Sequence, residues 1–266
     1  MTRYILSAAF SMLATTAFAA DTEPTVTHNA CSGHAEAYIG RLYSFNIGNL
    51  GDVHTYGGAT RANCNIEGNW NVQGDFVVDR LAADGAGYTQ YGGTAHLFWR
   101  DPSSFAAGIF VSVNRTDIET VDWTVYSGGP QFQVYLDQVT LFGQAEYGQF
   151  DIQGNSVDFL GARGVARYFA TPNLRFDTEI AYRDYDPLPI DVFYAAAQAN
   201  YRFDDTPYTV FARYHYENIS AGGNDQDFQR ITAGLRISFG SGTLLDEDRH
   251  GAAMDTYRSS LISGGF

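Results

Sequence analysis

The stretch that decides the fold is QRITAGLRISFG, residues 229–240. From residue 230 to residue 239 it alternates strictly, with Arg, Thr, Gly or Ser at even positions and Ile, Ala, Leu or Phe at odd ones. A period of two predicts a β-strand with one apolar and one polar face. The apolar face must meet either a protein core or lipid, and the rest of the chain decides between them.

The amino terminus has the layout of a secretory signal peptide. Arg3 is followed by an apolar run that ends near Leu13, and Ala17-Phe18-Ala19 precede the expected cleavage site. This run is short for a membrane anchor, so we expect export and exclude residues 1–19 from the fold.

The whole chain has a formal net charge of −14, from sixteen basic residues against thirty acids. Removal of Arg3 with the signal peptide makes the mature chain one unit more negative. We expect no nucleic-acid partner, because such binding needs concentrated positive charge.

Cys31 and Cys64 are the two cysteines of the chain. In an exported protein they predict one disulfide, and two buried thiols are the alternative. Neither cysteine has partners at the spacing of metal ligands, so we expect no metal and no other cofactor.

Period two recurs in about twelve segments of the mature chain. They run roughly over 34–46, 56–65, 70–81, 88–100, 104–114, 120–134, 138–148, 157–169, 173–183, 191–203, 207–217 and 229–239. Arginines, aspartates and glycines interrupt every candidate membrane helix. A barrel instead crosses lipid with half-apolar strands of about nine to eleven residues, and an aromatic content of 15% fits this class.

The connections are predicted to alternate in length. Tight turns such as TPN, residues 171–173, follow the even segments, and longer joins such as NISAGGNDQD, residues 218–227, follow most odd ones. Short turns on one side and longer loops on the other are typical of outer-membrane barrels, whose even strand count places both termini in the periplasm. In this topology Cys31 and Cys64 lie at one rim on neighbouring strands.

The predicted fold class is therefore all-β, a transmembrane antiparallel up-and-down β-barrel of about 12 strands over residues 34–239. Residues 20–33 form a periplasmic amino-terminal segment in this scheme. A secreted two-sheet or repeat β protein is the alternative fold.

Two stretches resemble known outer-membrane proteins. Gly234, Ile237 and Phe239 are spaced as in the last-strand signal that the barrel-assembly machinery of Gram-negative bacteria recognises. The segment GGTAHLFWRDPSSFAAGIFVSV, residues 92–113, resembles porin-like barrel proteins of proteobacteria, which are mostly uncharacterised. This resemblance covers one hairpin, with weaker similarity over the later strands. It implies the cell outer membrane, with its lipid and lipopolysaccharide, and no particular activity.

The chain departs from most such barrels because 27 residues follow Phe239. Only the segment before Phe239 alternates, so we expect Phe239, and not Phe266, to be the functional end of the barrel. We expect residues 240–266 to form a periplasmic tail, as a solvated extension rather than a binding element.

The same alternation predicts which charged side chains face the lumen. The arginines are Arg163, Arg167, Arg175, Arg183, Arg202, Arg213, Arg230 and Arg236, and the acids are Asp75, Asp79, Glu146, Asp177, Glu179 and Glu217. Because strands eight to twelve are consecutive, the arginines should share one wall, and such a field would orient polar or anionic solutes.

The predicted function is a channel for passive diffusion of small polar solutes. The more specific prediction is that these solutes are anionic. A closed structural or adhesive barrel is the alternative, and an outer-membrane hydrolase is the second. We do not predict an enzyme, because the sequence has no G-x-S-x-G element or metal-spaced histidine pair, and we interpret His96 and His215 as wall residues. Assembly into a homo-oligomer is a further open alternative.

Overall fold

The protein is a closed barrel of twelve antiparallel strands in the computed structural model, which describes residues 30–44, 53–83, 86–118 and 121–255. The predicted signal peptide lies outside these residues. The strands are β1 Cys31–Ser44, β2 Val53–Glu67, β3 Trp70–Ala83, β4 Ala86–Asp101, β5 Phe105–Ile118, β6 Val121–Leu136, β7 Val139–Ile152, β8 Asn155–Thr171, β9 Leu174–Asp186, β10 Ile190–Arg202, β11 Tyr208–Ala221 and β12 Asn224–Phe239. Each predicted segment coincides with one strand to within a few residues, so the predicted fold class is confirmed.

A seam between β1 and β12 closes the sheet. The two strands pair in register from Gly33 opposite Phe239 to Ser44 opposite Phe228. An open sheet edge cannot persist in lipid, because its unpaired N–H and C=O groups would find no partner there. Closure therefore satisfies the backbone of every strand inside the protein.

The outer faces of β9 and β10 are apolar, and their aromatic side chains lie near both ends of these strands. On β10, Phe193 and Tyr201 are exposed at the two ends, and the outward side chains between them are alanines. On β9, Phe176 and Tyr182 flank Ile180, which is 61% exposed. Aromatic girdles around an aliphatic band are typical of barrels that cross a bilayer. The apolar face of residues 231–239 therefore meets lipid, and the alternative soluble fold is excluded.

The start of β1 and the end of β12 lie at the same end of the barrel, which we call the terminal end. We call the other end of the barrel the opposite end. At the terminal end Cys31 lies opposite Cys64, and the two form the predicted disulfide. A short helix, α1 Leu244–His250, follows β12 at this end. Within the described ranges, no helix is long and apolar enough to cross a bilayer.

The predicted difference in loop length between the two ends is wrong for the described connections. At the opposite end, β11 and β12 are joined by Gly222 and Gly223 alone, and β7 and β8 by Gln153 and Gly154. Polar stretches that resemble loops in the sequence continue the strands, because positive φ angles of 59° and 88° at Gly222 and Gly223 allow a tight hairpin turn. The strands thus exceed the span that lipid requires.

The seam generates a first prediction, about Gly234. A Cβ at this position would lie 2.4 Å from the Ala37 carbonyl oxygen on β1 and 2.5 Å from the Phe211 ring. We expect Gly234→Leu to lower the free energy of unfolding by about 1–3 kcal/mol, because the added side chain forces the seam apart. Urea unfolding of the refolded protein measures this change.

The matched control is Gly74→Leu on the outer surface, where an added Cβ meets nothing within 4 Å. This variant should fold as the wild type does. Equal losses in the two variants would contradict a specific role of the close approach at the seam.

Candidate functional site: the barrel lumen

The lumen is divided into layers along the barrel axis, and the layer at the opposite end is apolar. Its members are buried inward-facing side chains from ten strands: Leu42, Val53, Leu81, Trp123, Val125, Phe150, Phe159, Tyr185, Val192, Ile219 and Phe228. Tyr88 of β4 and Ile118 of β5 pack against them, so every strand contributes. Phe159 and Tyr185 stack with their ring centroids 5.2 Å apart and are each 1% exposed. This apolar layer closes the opposite end of the lumen.

The apolar layer was not predicted, although its signal is present in the sequence of the strands. On β12 the inward positions change from Phe228 to Arg230 within two residues, and the outward positions become apolar from Ile231 onward. A period of two identifies the faces of a strand but does not reveal that one face changes its chemistry along its length.

The charged layer lies between the apolar layer and the terminal end. All of the predicted pore-lining side chains point into the lumen: Arg163, Arg167, Arg183, Arg202, Arg213, Arg230, Arg236, Asp75, Glu146, Glu179 and Glu217. Their placement agrees with the alternation, while a role in permeation stays a prediction.

Ion pairs between strands connect most of this layer. Glu179 on β9 accepts from Arg163 on β8 and from Arg213 on β11, each at 2.6 Å. Further pairs are Arg183–Glu146 at 2.7 Å, Arg236–Glu36 at 2.8 Å, Arg61–Asp75 at 3.2 Å and Arg230–Asp79 at 3.5 Å. Buried charges of this kind are stabilised only when they are paired and hydrogen-bonded.

The prediction of one arginine wall needs correction. β8 to β12 each present at least one inward arginine, as expected, but Arg61 on β2 and Arg100 on β4 also point inward. The acids are interleaved with the arginines rather than facing them, because cross-strand pairs form within the same wall. The missed arginines could have been found by applying the same alternation to the early strands.

The inward charges of the described strands do not cancel. The ten arginines are Arg61, Arg100, Arg163, Arg167, Arg175, Arg183, Arg202, Arg213, Arg230 and Arg236; the seven acids are Glu36, Asp75, Asp79, Glu146, Asp177, Glu179 and Glu217. The difference is a net charge of +3 on the wall.

The chain that follows β12 enters the terminal end of the lumen, and we call residues 240–255 the tail segment. Thr243 caps α1 by accepting a hydrogen bond from the Asp246 N–H at 3.0 Å. Leu244 and Met254 are fully buried, and Met254 packs with Phe98 and Phe142 of the barrel. The expectation of a solvated extension is wrong for these residues, because apolar anchors at both ends of the segment hold it inside the barrel. Residues 256–266 lie outside the described ranges.

Three carboxylates of the tail segment contact the wall. The Glu247 carboxylate lies 2.7 Å from His34 Nδ1, and the Asp248 carboxylate accepts from Thr140 at 2.6 Å. Arg167 donates to Asp248 and Asp255, each at 2.5 Å, and to the Ala253 carbonyl at 2.8 Å. The tail segment carries four acids and one arginine, a net charge of −3 that matches the surplus on the wall.

Hydrogen bonds between side chains and backbone groups also hold the tail segment against the wall. The Gln73 amide donates to the Met254 carbonyl at 2.7 Å and accepts from the Met254 N–H at 3.1 Å. The Arg249 guanidinium donates to the Asp137 carbonyl at 2.7 Å and lies 4.5 Å from the centre of the Tyr135 ring. A cavity of about 40 Å³ remains between the tail segment and the wall, lined by arginines and by the tail carboxylates. This volume is sufficient for a few water molecules and not for a larger solute.

The two lumen histidines that the sequence singled out are wall residues. His96 Nδ1 lies 2.9 Å from the Gln131 side-chain oxygen, and the His215 ring packs on Tyr194 with the centroids 5.2 Å apart. Each is 1% exposed.

The fold is similar to solved outer-membrane barrels. The translocator domain of the autotransporter NalP from Neisseria meningitidis has 11% identity and a TM-score of 0.50, covering 80% of this chain and 91% of that one. The β domain of the Bordetella autotransporter BrkA has 11% identity and a TM-score of 0.50, covering 79% and 100%. The monoaromatic hydrocarbon channel CymD has 9% identity and a TM-score of 0.51, covering 80% and 90%.

At these identities the likeness establishes the fold and not the activity. No protein-family model matches the chain. No curated protein matches it either.

The carboxyl groups of the tail segment have lowered pKa values. Burial acts to raise the pKa of Glu247, but the charge and hydrogen bond of His34 and the charge of Arg236 lower it to about 2. Burial also acts to raise the pKa of Asp255, but Arg167, Arg163 and Arg61 hold it well below the ordinary value. A lowered pKa means that the docked tail favours the charged carboxylate.

These shifts predict how docking depends on pH. For Glu247 the contribution is fully present above the ordinary pKa of 4.5 and is lost as the pH falls toward 2. Its size is on the order of 3 kcal/mol. Hydrogen exchange of the amides in residues 244–254, corrected for intrinsic rates, should show protection at pH 6 that declines steeply below pH 4.5.

Glu247→Gln provides the comparison for this prediction. The variant should have weaker protection at pH 6 and a smaller decline on acidification, because the titrating group is absent. A decline identical to that of the wild type would show that other groups control docking.

Proposed function

We propose that this outer-membrane β-barrel is a diffusion channel for small polar solutes with a preference for anions, and that the conformation described is its closed state. The observation that carries the proposal is the distribution of charge. The chain is acidic overall, with a net charge of −14. Its barrel wall nevertheless carries a surplus of three arginines on the inside.

The acids that outweigh these arginines lie mostly at the ends and on the outside. Asp184, Asp186 and Asp225 are exposed at the opposite end. Exposed charges are screened beyond about 8 Å at physiological salt, whereas lumen charges act at short range in a less aqueous space. The inward arginines should therefore dominate the potential that a permeating ion experiences.

Two closures would have to open before solutes pass. The apolar layer would act as a hydrophobic constriction, which blocks ions because it does not hold water. The tail segment would act as a plug at the terminal end, which faces the periplasm in this orientation. Both closures are built from side chains and one short segment, so opening does not require any strand of the barrel to separate.

The closed structural barrel is the second candidate function. The observation that favours it is the presence of closures at both ends, with most lumen charges satisfied by ion pairs. The hydrolase alternative receives less support, because His96 and His215 are enclosed within the lumen.

The test is the conductance of the full chain in planar bilayers, with a salt gradient across the membrane. We expect openings with a reversal potential that indicates anion preference. In Arg213→Gln with Arg236→Gln, the reversal potential should shift toward cation preference, because the lumen loses two positive charges. Glu179 loses one of its two arginine partners, Arg213 at 2.6 Å, and Glu36 loses Arg236 at 2.8 Å.

Arg115→Gln is the matched control, since this side chain is 45% exposed on the outside of the barrel. It should leave the reversal potential unchanged. An unchanged potential in the double variant would remove these arginines from selectivity, and a complete lack of conductance would favour the closed structural barrel.

A further inference from the structure

We infer that the arginines beneath the tail segment form a binding site for small di- and tricarboxylates, and that the tail segment occupies this site as an internal ligand. The site consists of Arg61, Arg163 and Arg167 on the wall. Its present occupants are the carboxylates of Asp248 and Asp255.

The first observation is that the wall leaves Arg167 without a carboxylate of its own, whereas Arg61 pairs with Asp75 and Arg163 pairs with Glu179. Both ion pairs of Arg167 are with carboxylates of the tail segment. Arg100 and Arg202 are 2% and 4% exposed, and neither forms an ion pair with any residue of the described ranges. An enclosed cation without an anion is costly, so this part of the wall favours any anion that can reach it.

The second observation is that the contacts made by the tail segment are of a kind that a free ligand can reproduce. Arg167 uses two nitrogens, Nη1 for Asp248 and Nη2 for Asp255, so two separate carboxylates converge on one guanidinium. Asp255 also lies 3.5 Å from Arg61 Nη1, and its carbonyl accepts from Arg163 at 3.2 Å. A molecule with two or three carboxylates can bridge the same guanidinium groups, whereas a monocarboxylate replaces only one contact.

The third observation is that the tail segment can leave without disturbing the barrel. Its covalent link to the sheet is through Gly240, which continues β12, and it contributes no strand, so its release breaks no pairing between strands. A tethered ligand of this kind acts at an effective concentration in the millimolar range. A free polycarboxylate that binds these arginines as strongly as the tail carboxylates do therefore displaces them at about millimolar concentration.

This inference rests on the proposed function, because it names the class of anion that the lumen binds. Its test does not require conduction. Arg249 reports whether the tail segment is docked, because its side chain is only 11% exposed. Trypsin should cleave after Arg249 slowly in the docked state and rapidly once the tail segment is released. Mass spectrometry identifies this cleavage among those at other arginines.

The probe is citrate, added to the refolded full chain at constant trypsin activity, with sodium chloride of equal ionic strength as the comparison. We expect cleavage after Arg249 to accelerate with citrate and to saturate in the millimolar range, with acetate and chloride having less effect. Asp248→Asn with Asp255→Asn should raise the rate without citrate by roughly tenfold or more, because charge-assisted hydrogen bonds are lost. The control Asp205→Asn removes an exposed acid at the same end of the barrel and should leave the rate unchanged.

The Arg167→Gln variant distinguishes competition between citrate and the tail carboxylates from a general loosening of the tail segment. This variant should be cleaved faster without citrate and should gain nothing more from citrate than from chloride. Equal acceleration by citrate and chloride in the wild type would overturn the inference, and so would a citrate effect that survives in Arg167→Gln. Either result would leave the proposed channel standing, because conductance is measured independently.

Discussion

The whole structure depends on the need to pair every backbone N–H and C=O within the protein where lipid surrounds it. A sheet meets this need only when it has no edge, so β12 must return to β1. Closure in turn gives each strand one face toward lipid and one toward an enclosed lumen. The lipid face is uniform in chemistry because its solvent is uniform. The lumen face is free to vary, and this protein varies it along the barrel axis.

That variation explains why a protein with many charged lumen residues is nevertheless closed. Near the opposite end the inward side chains are apolar and pack together as the interior of a soluble protein does. In the middle the inward arginines and acids pair across strands. At the terminal end the wall retains a positive surplus, which the tail segment neutralises. Each layer thus satisfies its own side chains by a different interaction.

The tail segment matters chemically because it is bound through charge as well as through apolar contact. Leu244 and Met254, its two largest buried apolar side chains, flank the three carboxylates or lie beside them and hold them against the wall. A plug held by apolar packing alone would not respond to dissolved ions. A plug held by carboxylate–guanidinium pairs competes with any anion of similar chemistry. Closure and anion recognition are therefore two aspects of one set of contacts.

The sequence by itself determined the number of strands, their faces and the inward position of most charged lumen residues, because these follow from a period of two. The two cysteines of an exported chain predicted the disulfide, with two thiols as the alternative. The sequence did not determine the partners of the charged residues. Arg163 meets Glu179 through neighbouring strands, but Arg167 meets Asp248 and Asp255 across 81 and 88 residues of chain. Nothing local marks residues 240–255 as a plug, since their short helix and scattered apolar residues would suit a solvated tail equally well. The closed barrel encloses arginines that have no carboxylate partner on the wall, and these lie beside the end of β12. Only this tertiary arrangement decides where the segment has its lowest free energy.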